Sequence, residues 1–162
     1  MSIIEELQAA ASTVATSVGP ATVRIGRDGG RGAGVVTSEG VVVTNAHNLR
    51  GPKVTITFAD GRTVRGDVRG VDAEGDLTVI AADTGGVTPV AWTDADPTLG
   101  TPVWAVTLPA SGGTRVTFGA VSAVGRAFRG PQGRRIAGSV EHTAPLARGS
   151  SGGPLVDAAG RL

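Results

Sequence analysis

The chain has 162 residues, no cysteine and a net charge of +1 at pH 7. Those values exclude a disulfide framework and a thiolate metal site, and they give no electrostatic case for a nucleic-acid binder. Hydrophobic residues make up 40% of it, enough for the packed core of one or two small domains, yet no apolar run is long enough to span a bilayer as a helix.

Residues 2–18 predict one amphipathic helix. Ser2 can cap it, and Glu5 follows three residues later as in a capping box. Ile3, Ile4, Leu7, Ala11 and Val14 fall near one face, which is the expected core face. Gly19-Pro20 stops the helix. This start carries acids where a secretory leader carries Lys or Arg, and it lacks a continuous apolar stretch. No export signal is read, so the expected compartment is the cytoplasm.

Beyond Pro20 the pattern changes to short Val-rich runs punctuated by Gly, Asp and Pro, which predicts strands. Thr22–Ile25 alternates, and Gly29-Gly30 signals a turn. Gly32–Thr37 and Val41–Asn45 flank a Ser38-Glu39-Gly40 turn and read as a hairpin. His47 stands at the end of that hairpin. Lys53–Phe58, the Asp60-Gly61 turn and Arg62–Val68 form a second hairpin. Asp72–Gly75 is an acidic turn, and Asp76 opens the next strand, which runs to Ala81. Residues 82–99 are loop-rich and mark a boundary between two halves. Strands resume at Thr101–Thr107 and Thr114–Val124, with Gly119 as a bulge. Arg126–Arg135 reads as a solvated loop, and Arg135–His142 leads through Pro145 to a short strand at Pro154–Val156.

The stretch before that last strand is Gly149-Ser150-Ser151-Gly152-Gly153-Pro154. Glycines around a Ser permit a tight turn and bring backbone N–H groups close to whatever the hydroxyl attacks. A Ser hydroxyl is a poor nucleophile alone. It needs a neutral imidazole to accept its proton and a carboxylate to fix the imidazole's tautomer. The chain offers His47, Asp76 and Ser151 in that order, each at a predicted strand edge. Gly149–Gly153 also fits the G-x-S-x-G elbow, but that arrangement places its acid and its His after the Ser. Eleven residues follow Ser151, and none is His.

Thr44-Asn45-Ala46-His47, Asp76-Leu77-Thr78-Val79 and Gly149–Pro154 resemble the three catalytic blocks of trypsin-like serine proteases. Gly32-Ala33-Gly34-Val35-Val36 and Thr117–Gly125 make the chain similar to the bacterial HtrA (DegP-like) branch. The resemblance implies an all-β fold of two antiparallel six-stranded barrels behind the helix. The helix would take residues 1–19, the first barrel 20–95 and the second 96–162, two strands short and with an open edge. It implies His47 as general base, Asp76 as its orienting acid and Ser151 as nucleophile, with Ser150 the variable neighbour. The N–H groups of Gly149 and Ser151 would form the oxyanion hole. Pro145 would stand at the floor of the specificity pocket, where trypsin itself has a carboxylate, so cleavage after Lys or Arg is not expected and a small apolar residue is. His142 matches no catalytic position.

The implied activity is endopeptidase action on unfolded or damaged polypeptide. The alternative is a trypsin-fold binding or regulatory module that does not turn over. Neither needs a metal or cofactor. The two histidines are far apart, H-E-x-x-H is absent, and the Gly-rich stretches lack the Lys-Ser/Thr of a phosphate loop. No nucleic-acid or membrane partner is expected. No PDZ domain is read, and nothing in the sequence sets the oligomeric state. Relatives of this branch usually work outside the cytoplasm.

Overall fold

The computed structural model describes residues 1–27, 32–130, 133 and 135–162. The predicted Gly29-Gly30 turn lies outside them. Helix α1 spans Ile3–Val18, and Ser2 and Glu5 form the reciprocal capping box. Its buried side chains are Val14 and Val18. Ile3 and Ile4 are 75% and 76% exposed, which corrects the expected core face. The first turn projects beyond the body of the protein, so periodicity there has nothing to pack on.

Six strands follow: β1 (Thr22–Ile25), β2 (Gly32–Ser38), β3 (Val41–Asn45), β4 (Lys53–Thr57), β5 (Thr63–Asp72) and β6 (Leu77–Ala81). They close a barrel in the order β1-β2-β3-β6-β5-β4. The ring is sealed by antiparallel pairing of Arg24 with Thr57 and Ile25 with Ile56. Period-2 alternation places Val36, Val42, Ile56 and Ile80 in the core with no exposed surface. Removing each such side chain from water contributes about 1.5–3 kcal/mol.

After the loop-rich segment come β7 (Pro102–Thr107), β8 (Arg115–Arg129), β9 (Arg135–His142) and β10 (Leu155–Val156). They form a four-stranded sheet in the order β10-β7-β8-β9, a curled half-barrel among the described residues. Two expectations are corrected here. Arg126–Arg129 continues β8 and pairs with β9 rather than looping, because three register shifts let the long strand twist while staying paired. Gly119 is not a bulge, for it pairs in regular register with Val103. Its hydrogen side faces the backbone of Thr143 and Ala144 so closely that a Cβ would collide with it.

One core joins the parts. Trp104, Val106 and Val156 of the second sheet pack in the same buried cluster as Val14 and Val18 of α1 and Val23, Ile25 and Val36 of the barrel. Among the described residues no helix is long and apolar enough to cross a membrane.

Candidate active site

Chain order and pairing bring the ends of β3 and β6 together, since Asn45 pairs with Leu77. His47 and Asp76 lie just beyond that pair. His47 sits in a 3-10 turn, Ala46–Asn48, rather than on the strand itself. Asp76 is the last residue of the turn before β6 rather than its first strand residue. It has φ = 56°, the one positive φ found at a non-glycine position among the described residues. Left-handed backbone costs an L-residue roughly 1–2 kcal/mol, and here four hydrogen bonds hold it. Ala46 N and Asn45 Nδ2 donate to the Asp76 carbonyl at 3.1 and 2.9 Å. The His47 amide donates to Oδ1 at 2.9 Å, and His47 Nδ1 meets Oδ2 at 2.6 Å. The Asp76 residue is 5% exposed, while the His47 side chain is about one-third exposed. With Nδ1 committed to the carboxylate, Nε2 is the nitrogen left free to accept a proton.

Ser151 reaches the same place from the other sheet. Its carbonyl accepts from Ala33 N at 2.8 Å and from Asn48 Nδ2 at 2.9 Å. Asn48 also donates to Thr44 Oγ1 at 2.9 Å, and Thr44 donates to the Ala33 carbonyl at 2.6 Å. Gly152 (φ = 90°) is pressed so hard against Ala33 and Thr44 that no Cβ fits. The loop is therefore docked by its backbone on the segment that carries His47. Among the described residues neither His47 Nε2 nor Ser151 Oγ has a hydrogen-bond partner. The N–H groups of Gly149 and Ser151 likewise have no acceptor there, whereas Ser150 N and Gly153 N close local turns. Two unsatisfied donors beside a Ser hydroxyl can stabilise an oxyanion.

Beside this loop lies a cleft of about 220 Å³ lined by Thr117, His142, Pro145, Leu146, Ser151 and Leu155, with Arg115 at its wall. The Pro145 carbonyl accepts from Thr117 Oγ1 at 2.8 Å. Among the described residues no carboxylate lines this cleft. His142, read from sequence as outside the catalytic set, is one of its walls. Its Nδ1 is buried without a partner, and burial holds the imidazole below its ordinary pKa.

A family model for the trypsin-like peptidase domain matches residues 32–162. The chain belongs to that family. It is 35% identical over 150 residues to HhoA of Synechocystis, covering 88% of this chain and 38% of that protein. It is 33% identical over 165 residues to the serine protease PepD of Mycobacterium tuberculosis, covering 89% of this chain and 36% of that protein. DegS of Escherichia coli K12 is 31% identical over 135 residues, 81% of this chain and 38% of DegS. The chain thus spans less than two-fifths of the length of these three relatives. Among solved structures, Deg5 superposes with a TM-score of 0.80 at 28% identity, covering 99% of this chain and 84% of Deg5. The relatives place the chain in the HtrA/Deg branch of the family, and the closed barrel with its half-barrel is the trypsin-like fold of that branch.

Sequence reasoning singled out His47, Asp76, Ser151, Gly149 and Pro145: the fold pairs His47 with Asp76, ties Ser151 to the His47 turn through Asn48, sets Ser151 and Pro145 in the same cleft, and places Gly149 in the wall of a neighbouring cavity. It missed Asn45, Thr44, Asn48 and Ala33, whose side chains and amides hold the others. The polar Thr44-Asn45 and Asn48 flanking His47 were the available signal, since buried polar side chains next to a candidate base require partners.

Proposed function

We propose that this chain is the peptidase part of an HtrA/Deg-type serine endopeptidase. The carrying observation is the left-handed Asp76, which presents its carbonyl and both carboxylate oxygens to the His47 turn. A carboxylate so held fixes the imidazole with its proton on Nδ1. Nε2 then takes the Ser151 proton as Oγ attacks a peptide carbonyl, and the imidazolium that forms is stabilised by Asp76. The oxyanion faces the N–H groups of Gly149 and Ser151. Collapse of the adduct breaks the C–N bond, and the amine leaves with the proton from Nε2. Water repeats the sequence on the acyl ester and regenerates Ser151. With no carboxylate among its described lining residues and the Arg115 cation at its wall, the Pro145 cleft disfavours Lys or Arg before the scissile bond, and its apolar walls Pro145, Leu146 and Leu155 support a small apolar residue there. The substrate class, unfolded polypeptide, is supported by the likeness to the HtrA/Deg relatives.

A fluorophosphonate probe tests the reading. Labelling that is lost in Ser151→Ala, accompanied by casein hydrolysis, is the expected result. The unformed bond between Ser151 Oγ and His47 Nε2 favours one second reading, a peptide-binding module of the same fold. A folded protein that takes no label supports that module instead.

A further inference from the structure

A second cavity, of about 530 Å³, borders the His47 turn at Asn48. Its wall includes Asn48, the residue after His47, together with Arg27, Arg50, Lys53 and Arg65. It shares no lining residue with the cleft at Pro145. Four cations therefore surround one concavity in a chain whose net charge is only +1. Among the described residues the carboxylate nearest this group is Asp67. It pairs with Lys53 at 2.6 Å, and its pKa is lowered by the Lys53 hydrogen bond and charge, with smaller contributions from Arg69 and Arg65. Among the described residues one carboxylate, Asp67, thus stands against four cations, engaging Lys53 directly and Arg65 more weakly.

Position gives this charge a use. His47 hands its proton to the departing amine, so the segment after the scissile bond must leave along the His47 side of the site. The acyl side lies against Ser151 and the Pro145 cleft. The Asn48 amide, bonded to the Ser151 carbonyl, stands at the junction of the two. We infer that the Arg27–Arg50–Lys53–Arg65 cavity is a binding site for Asp and Glu side chains that follow the scissile bond of a polypeptide substrate. The inference deepens the peptidase reading by naming a feature of the substrate, and it rests on that reading for the direction of the chain. Complementary charge in a concave site raises encounter rates and selects partners.

The test uses the Ser151→Ala protein and a fluorescein-labelled octapeptide with glutamates at its second to fourth positions after a Val-Ala bond. Fluorescence anisotropy at low salt is expected to show about tenfold tighter binding than for the same peptide with glutamines, from two or three exposed ion pairs. Adding R50E and R65E, with the circular dichroism spectrum unchanged, is expected to remove that preference, and raising salt to 0.5 M is expected to weaken it. Unchanged preference in the R50E/R65E protein overturns the inference. So does equally tight binding of a short oligothymidylate, which would make the cavity a general polyanion site. A separate cleavage assay with the Ser151 protein uses both peptides. Cleavage of both at equal kcat/KM also overturns the inference, whereas cleavage of neither, with binding preference intact, defeats the peptidase reading and leaves the acidic-peptide site standing.

Discussion

Asp76 is held by four hydrogen bonds in a backbone conformation that most side chains avoid. Two features of it can be separated by substitution. Asp76→Asn keeps the shape but reverses the donor at Oδ2, so His47 takes the wrong tautomer. Turnover is expected to drop by about 10⁴ with the thermal unfolding curve little changed. Near-normal turnover would move the role to another acid, with Asp72 next in line. Asn48 acts one step away. Asn48→Ala deletes bonds to both Thr44 and the Ser151 carbonyl and is expected to cost about 1–2 kcal/mol in urea denaturation. Because the Ser151 loop loses its alignment, kcat should fall while KM stays close to its original value. His142 predicts a pH effect. Burial keeps its imidazole below the ordinary value, so on acidification the unfolded chain binds the proton first. Stability from this group is complete above about pH 6.5 and is lost as the pH falls from there through the lowered folded value. The urea midpoint should decline over that window, and His142→Gln should flatten the decline.

At the scale of elements, the turns carry more of the site than the strands do. The loop 149–153 approaches β2 and β3 so closely that Gly152 has no room for a methyl group and needs positive φ as well. Gly152→Ala is expected to destabilise the protein by at least about 2 kcal/mol and to abolish probe labelling. An unchanged midpoint would show that the loop is not seated there. The same scale explains what the sequence made legible. Alternation exposed β3, β4 and β6, which have one buried face; β2 and β7, buried on both faces, were legible as short Val-rich runs instead, and β5 runs on to Asp72 past the expected end at Val68. His47, Asp76 and Ser151 were legible because each sits in a short motif. The left-handed turn at Asp76 was not, since nothing local requires it; it is imposed by the partners on Ala46, Asn45 and His47. Nor was the Asn48 tie to Ser151, a contact between residues 103 positions apart. The length of β8 was hidden by its glycines and arginines, which read as loop until β9 pairs with them. Ile3 and Ile4 misled because periodicity reports a helix face and not whether anything lies against it.

For the whole molecule, the shared core matters most. Trp104 is 2% exposed and packs with its ring centroid 5.2 Å from that of Phe118, inside a cluster that spans helix, barrel and half-barrel. Trp104→Ala is expected to cost about 3–5 kcal/mol and to lower the urea midpoint seen by probes in either half equally. Two separated transitions would mean that the halves unfold independently. A Trp92→Phe background makes the measurement direct, because Trp92 is 65% exposed and Trp104 is then the sole indole. A continuous core and the ties from the Ala33 amide and the Asn48 side chain to the Ser151 carbonyl also remove the hinge between the halves. The His47 turn is anchored at three separate atoms of Asp76, and the Ser151 carbonyl at two donors. What remains free between hydroxyl and imidazole is torsion, chiefly rotation about the Ser151 Cα–Cβ bond. Rotations of exposed side chains take picoseconds to nanoseconds. The passage between the separated and the hydrogen-bonded arrangement of this pair is thus set by one fast rotor, and the mixing of protein with substrate should show no slow activation lag.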